Sequence, residues 1–120
     1  MADVWYNIGQ IAVGIGDLGL AYQAFKITVS VDSNHAEAFN NLGVLEFKKG
    51  NIDQALSNFQ GASRLVPEMF EPYFNGGLLC FKLGEFQESF DLATKSGTQF
   101  PDHTETAELL KQLKSHFSAL

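Results

Sequence analysis

The sequence has little cysteine, proline or positive charge, and it lacks a long apolar run. Its single Cys80 rules out an internal disulfide and, with no basic and apolar signal segment at the N-terminus, indicates a reducing compartment. No stretch of 18 apolar residues exists, so no membrane-spanning helix is expected. Eight Lys and Arg against fourteen Asp and Glu give a net charge of −6, which argues against nucleic acid as a partner.

Apolar residues and glycine are what the chain does contain. Of its 120 residues 45% are hydrophobic, and eleven are Phe, so the length and composition allow a packed core and argue against disorder. Six of the eleven glycines fall into two sets of three, and within each set consecutive glycines are 34 residues apart. The first set is Gly9, Gly43 and Gly77, and the second is Gly16, Gly50 and Gly84.

Other positions repeat with the same 34-residue period. They are an aromatic set (Trp5, Phe39, Tyr73), an asparagine set (Asn7, Asn41, Asn75), a small set (Ala21, Ala55, Ser89) and a closing set (Ser33, Pro67, Pro101). In the middle unit we expect a helix between Asn34 and Lys49, capped by Asn34 with Glu37. Gly50 then makes a left-handed turn, and Asn51 caps a second helix. Each unit is therefore predicted to be a helical hairpin that must stack on its neighbours.

These units resemble the tetratricopeptide repeat, whose pattern is W-x2-L-G-x2-Y, then A-x3-F, then P. The second unit reads Phe39-x2-Leu42-Gly43-x2-Glu46, then Ala55-x3-Phe59, then Pro67. The three units depart from this pattern at four positions, which hold Glu46, Gly76, Ala93 and Ser33. The resemblance implies an all-α, right-handed superhelix of three hairpins plus a C-terminal capping helix. The expected ranges are residues 2–35, 36–69 and 70–103 for the repeats and 104–120 for the capping helix.

A narrower resemblance covers essentially the whole chain. Six segments are similar to the C-terminal repeats of a family of subunits of the BBSome, a complex that carries membrane proteins into and out of cilia. They are residues 5–9, 13–17, 34–42, 100–104, 110–114 and 116–117. This implies a C-terminal fragment of a scaffold with other BBSome subunits as partners, a role in ciliogenesis, and a place in the cytoplasm, cilium and ciliary base or centrosome. The alternative is a peptide-binding adaptor of an unrelated multi-subunit assembly.

The two ends of the chain differ in their predicted surfaces. After Pro101, Asp102 and Glu105 form a capping pair, and an apolar stripe faces a polar side, as a capping helix requires. No such cap precedes Trp5, and the first helix opens with Val4, Trp5, Ile8 and Ile11. We expect an apolar N-terminal surface that meets a preceding repeat in a longer protein and that drives self-association in isolation.

No enzyme, cofactor or metal site is predicted. Residues 14–19 formally match G-x-G-x-x-G, a dinucleotide-binding motif, after an apolar segment. However, Gly50 and Gly84, the repeat counterparts of Gly16, lie at predicted hairpin turns that no phosphate loop follows. His35 and His103 lie beside predicted helix starts, where structural roles are commoner than metal ligation. Cys80 falls in the core-facing set with Ala12 and Glu46, so we expect an inert thiol. No small-molecule substrate is implied.

The predicted functional surface is the concave face formed by the first helices of the hairpins. An asparagine amide both donates and accepts hydrogen bonds, so a column of asparagines could hold an extended peptide by its backbone; a solvated column is the competing interpretation. The candidate residues are Tyr6, Asn7, Gln10, Asn40, Asn41, Val44, Phe74, Asn75 and Leu78. Some repeats of this family bind a terminal carboxylate through Lys and Arg; the matching positions here, Tyr6, Gln10, Asn41, Glu71 and Asn75, hold no cation.

Overall fold

The computed structural model describes residues 1–120 as seven α-helices without a strand. The helices are α1 (Ala2–Gly14), α2 (Leu18–Val31), α3 (Ala36–Lys49), α4 (Ile52–Leu65), α5 (Glu71–Lys82), α6 (Phe86–Gln99) and α7 (Thr104–Ser118). Short turns join α1 to α2, α3 to α4, and α5 to α6, and each of these pairs packs together as a hairpin. The all-α fold predicted from the 34-residue period is therefore confirmed.

The seven helices are divided between two compact units. The first, Met1–Val66, contains α1 to α4. Its core joins Ala12 of α1, Ala21 and Phe25 of α2, and Leu42 and Leu45 of α3, all of them buried. Burying such apolar groups is the main stabilising contribution to a helical stack. The core therefore fixes α3 against both helices of the first hairpin.

The second unit, Pro67–Leu120, contains α5 to α7. Ala93 of α6 and Leu109 and Leu113 of α7 form its buried core, and several Phe side chains pack against them. Aromatic pairs such as Phe81 and Phe86, with ring centroids 5.5 Å apart in an edge arrangement, fill the remaining space. The apolar stripe predicted for the last helix thus faces α6.

The three turns of the hairpins use the glycines that the period singled out. Gly16, Gly50 and Gly84 have φ values of 81°, 86° and 81°, and they are the residues of this chain with positive φ. A side chain strains this left-handed conformation, whereas glycine adopts it freely. The prediction that these glycines lie in the turns of the hairpins is confirmed, and Gly50 is the C-cap of α3, as expected.

The other three glycines of the period lie where helices touch. A Cβ built on Gly43 would lie 2.5 Å from Cε1 of Phe59, and Gly9 meets Phe25 in the same way. In the third hairpin Ala93 stands where Phe would be expected, and a Cβ on Gly77 would instead approach the backbone oxygen of Ser89 at 3.3 Å. The helices of each hairpin therefore pack through a glycine.

The predicted N-caps of α3 and α7 are wrong by one residue. His35, and not Asn34, caps α3, because its Nδ1 accepts from the backbone N–H of Ala38 at 3.2 Å. His103, and not Asp102, caps α7, with Nδ1 accepting from the N–H of Thr106 at 3.3 Å. Both imidazole rings also pack against an aromatic ring, His35 against Tyr6 and His103 against Phe74.

Asn51 does hold the N-cap position of α4, as predicted, but its side chain makes no capping bond. Its Nδ2 donates instead to Oε1 of Glu46 at 3.4 Å. Nζ of Lys49 lies 3.9 Å from the same oxygen. Glu46 is buried, so these partners offset the cost of removing its charge from water.

Candidate peptide-binding groove

A small cleft of about 100 Å³ lies between α1, α2 and α3 in the first unit. Its floor is apolar, and amide and ammonium groups stand at its rim. The lining residues are Gln10, Val13, Leu18, Phe25, Asn41, Val44, Leu45 and Lys48. We call this cleft the groove. It brings together three of the residues predicted from the sequence, namely Gln10, Asn41 and Val44.

A pair of amides links the two walls of the groove. Nδ2 of Asn41 donates to Oε1 of Gln10 at 3.1 Å and lies 3.5 Å from the hydroxyl of Tyr6. The sequence left two interpretations of the asparagine column, a peptide ladder and a solvated surface, and in the structure Asn41 Nδ2 already has Gln10 and Tyr6 as acceptors. A primary amide offers two N–H donors and one carbonyl acceptor. The pair therefore keeps further donor and acceptor capacity at the rim.

Tyr6 lies beside this pair, outside the residues that line the groove. Its ring centroid lies 5.7 Å from that of Phe25 and 4.6 Å from that of His35. His35 is in turn fixed by its capping bond to Ala38, and its Nε2 lies 3.9 Å from Oδ1 of Asp3. These contacts hold the half-buried Tyr6 with its hydroxyl next to the amide of Asn41.

The remaining predicted residues differ in exposure. Asn7 is exposed on α1, as expected. Asn40 was predicted to be exposed and is 6% exposed, so this expectation is wrong. Position 40 lies 100° around the helix from Asn41, which suffices to turn its side chain into the interior. Its repeat equivalents Tyr6 and Phe74 are half-buried.

Three predicted residues lie on α5 in the second unit. Phe74, Asn75 and Leu78 are all half-buried. The ring of Phe74 meets that of His103 edge-on, with centroids 4.9 Å apart. This repeats the contact between Tyr6 and His35, since each capping histidine lies against the aromatic residue 29 positions before it. Phe74 therefore stabilises the start of α7.

Sequence reasoning missed Lys48, Leu18 and Phe25 as lining residues. Lys48 lies in the last turn of α3. It follows Asn41 and Val44 by seven and four residues, a spacing that places all three on one helical face. That signal could have identified it. Leu18 and Phe25 come from α2, and only the packing of the hairpin brings them to the groove.

The alternative chemistries gain no support from the geometry. The segment before Gly14 is helical in α1, where a dinucleotide site needs a strand. No group of three His, Cys, Asp or Glu is arranged to hold a metal ion. Burial raises the pKa of the Cys80 thiol, and the charges of Glu88 and Glu85 raise it further, so the reactive thiolate is disfavoured. None of the helices is both long and apolar enough to cross a membrane.

Comparison with known proteins points to one family. Residues 2–35 match the Tetratricopeptide repeat family. Over 119 residues, or 99% of its length, the chain is 51% identical to Tetratricopeptide repeat protein 8 of Homo sapiens and 42% identical to that of Caenorhabditis elegans. It spans 22% and 24% of these two proteins, so it corresponds to less than a quarter of their length.

Solved structures agree on the fold. The first tetratricopeptide repeat domain of Spaghetti (RPAP3), bound to the HSP90 peptide SRMEEVD, superposes with a TM-score of 0.90. The match covers 98% of this chain and 93% of that domain at 17% sequence identity, which shows a shared fold and not a shared ligand. The helical hairpins, the turn glycines, the match of residues 2–35 and the similarity to these relatives and structures together show that this chain has the tetratricopeptide repeat fold.

Proposed function

We propose that the chain is a non-enzymatic scaffold that binds an extended segment of a partner protein in the groove between α1 and α3. The observation that carries this proposal is the amide pair of Gln10 and Asn41 above an apolar cleft. The division into repeats at residues 2–35, 36–69 and 70–103, closed by a capping helix at 104–120, belongs to the same proposal.

The chemistry of the groove fits a peptide backbone. Each peptide unit has one N–H donor and one C=O acceptor, and a side-chain amide offers the complementary groups. Val44 and Val13 lie beside the amides, so an aliphatic side chain of the ligand can enter the cleft while its backbone stays at the rim. The cleft of about 100 Å³ suits one such side chain.

The charge of the groove does not favour an acidic peptide terminus. The positions that match a carboxylate-binding set, including Tyr6, Gln10 and Asn41, carry no cation. Lys48 at the rim supplies one positive charge, whereas Asp3 and Glu37 are exposed on α1 and α3. A bidentate clamp needs a planar guanidinium or several ammonium groups. We therefore expect a neutral or basic segment, unlike the HSP90 peptide bound by the Spaghetti domain.

A peptide array with two asparagine variants tests the groove. Asn41→Ala removes the amide that links the groove walls, and binding to the selected peptides is expected to weaken about tenfold, as loss of a hydrogen bond of roughly 1.5 kcal/mol predicts. Asn34→Ala is the matched control, because Asn34 is exposed in the turn before α3. The HSP90 peptide SRMEEVD serves as an acidic probe that should not bind.

Two results would contradict the groove proposal. One is unchanged binding of every selected peptide to Asn41→Ala. The other is equal weakening by Asn34→Ala, which would indicate a general loss of structure. Circular dichroism of both variants separates that effect from the loss of one contact.

We also propose that the chain corresponds to part of a BBSome subunit, with other BBSome subunits as partners, in ciliary membrane-protein trafficking and ciliogenesis. The support is the 51% identity over 99% of the chain to human Tetratricopeptide repeat protein 8, together with the resemblance of segments 5–9 and 34–42 to BBSome subunits. The proposal places the protein in the cytoplasm, the cilium and the ciliary base or centrosome.

A segment exchange tests this second step. The matched 119 residues of human Tetratricopeptide repeat protein 8 are replaced by this chain, and the chimera is expressed in ciliated cells that lack the endogenous protein. We expect it to co-sediment with the other BBSome subunits and to restore cilia. A chimera that folds but stays outside the complex would favour the alternative, an adaptor of an unrelated multi-subunit assembly.

A further inference from the structure

A polar cleft of about 170 Å³ lies in the first unit, between side chains of α2, α3 and α4. It shares no lining residue with the groove. Hydroxyl, amide and ammonium groups stand around it, and the buried Glu46 forms its floor. The lining residues are Tyr22, Lys26, Glu46, Gln54, Ser57 and Asn58. We call this site the polar cleft.

The carboxylate at the floor departs from the repeat pattern. The residues 34 positions before and after Glu46 are Ala12 and Cys80, and both are buried. A buried carboxylate has a desolvation cost that an alanine or a thiol does not have. The hairpin fold therefore does not require a charge at position 46. Sequences break the packing rules of their fold mainly at functional sites, and this makes the polar cleft a candidate for one.

Within the chain, only one of the two carboxylate oxygens of Glu46 has partners. Oε1 accepts from Nδ2 of Asn51 at 3.4 Å and lies 3.9 Å from Nζ of Lys49. Every fully buried side-chain oxygen of the chain has a hydrogen-bond partner, and Oε2 of Glu46 has none, so Oε2 opens onto the polar cleft. An ionised carboxylate has about four acceptor sites. Unused acceptor capacity thus lies at the floor of the cleft.

Charges of both signs restrict what the polar cleft can bind. Lys26 is exposed at its rim, and Nζ of Lys49 lies 3.5 Å from the centroid of the Tyr22 ring. A cationic ligand would meet these two ammonium groups, whereas an anionic ligand would meet Glu46. A neutral group that both donates and accepts hydrogen bonds suits both signs at once, and a side-chain amide is such a group.

We propose that the polar cleft binds the side-chain amide of an asparagine or glutamine of a partner protein. The amide N–H donates to Oε2 of Glu46, and the amide oxygen accepts from Nζ of Lys26. The side chain of Glu46 is 5% exposed, so only a narrow group reaches its carboxylate. A primary amide at the end of a side chain is narrow, whereas a backbone peptide unit continues into the chain on both sides. This site is additional to the groove of the proposed function.

Selection from a phage-displayed peptide library tests the polar cleft. The library is selected on the wild-type chain, and the recovered clones are sorted by loss of binding to Glu46→Ala. Clones in this group are expected to share an Asn or Gln at one position. In the synthetic peptides, changing that residue to Glu or to Arg should weaken binding about tenfold or more, because either charge meets a like charge in the cleft.

Further variants separate binding from folding. Glu46→Ala is expected to fold, since Ala12 fills the equivalent position of the first hairpin, and urea unfolding checks this. Lys26→Ala changes only an exposed side chain at the rim and should weaken the same peptides. Glu108→Ala is the matched control, because it removes an exposed carboxylate from α7 and should leave their binding unchanged.

Three results would overturn the proposal. The first is a selection in which no clone depends on Glu46. The second is a group of dependent clones that share a Lys, an Arg or an acidic residue instead of an amide. The third is equal weakening by Glu108→Ala. Peptides of the groove are recognised separately by their loss of binding to Asn41→Ala, so the failure of one site is distinguishable from the failure of the other.

Discussion

Single residues set the distance between the helices of a hairpin. Gly43 has no side chain, and this is what allows the ring of Phe59 to lie against the backbone of α3. The same relation holds for Gly9 and Phe25. Close packing of this kind tolerates little added volume, because protein interiors are already as dense as organic crystals.

Gly43→Ala is expected to destabilise the protein by about 1–3 kcal/mol, because the new methyl group would lie 2.5 Å from a carbon of Phe59. Urea unfolding followed by circular dichroism measures the change. Gly61→Ala is the matched control, since Gly61 is also helical and a Cβ there meets nothing within 4 Å. It should stabilise the helix by about 0.5–1 kcal/mol. Equal effects of the two substitutions would contradict this account.

At the scale of the helix, the start of α7 depends on an uncommon cap. Asp102 has the better intrinsic preference for an N-cap, yet His103 holds the position. Its ring lies 4.7 Å from that of Phe70 and 4.9 Å from that of Phe74. Tertiary packing thus decides the cap, and this is why the sequence alone misplaced it.

We expect His103→Ala to cost about 1 kcal/mol of stability, because the N–H of Thr106 loses its acceptor. His103→Asn should recover the capping part of that loss but not the aromatic contacts. Asp102→Ala distinguishes the two possible caps and should be nearly neutral. Urea unfolding of the three variants gives the comparison, and a larger loss for Asp102→Ala than for His103→Ala would restore the sequence-based assignment.

Across the whole molecule, the periodic features were predictable and the local ones were not. The 34-residue period predicted the hairpins and the turn glycines, because each recurs three times in fixed register. It also predicted Gln10, Asn41 and Val44 on one concave face, and in the structure these three residues line one cleft. It failed for Asn40, because periodicity gives a position on a helix but not how far a neighbouring helix covers it. Lys48 could have been predicted, since it shares a face of α3 with Asn41 and Val44, whereas Leu18 and Phe25 reach the groove only through the packing of α2.

The single buried thiol of Cys80 can serve as a probe of local opening in the hairpin of α5 and α6. The side chain is buried between α5 and α6, and its raised pKa keeps it protonated. An alkylating reagent can therefore reach a reactive sulfur only when this hairpin opens. The rate of labelling in native buffer would then report the opening free energy of that one hairpin, separately from global unfolding.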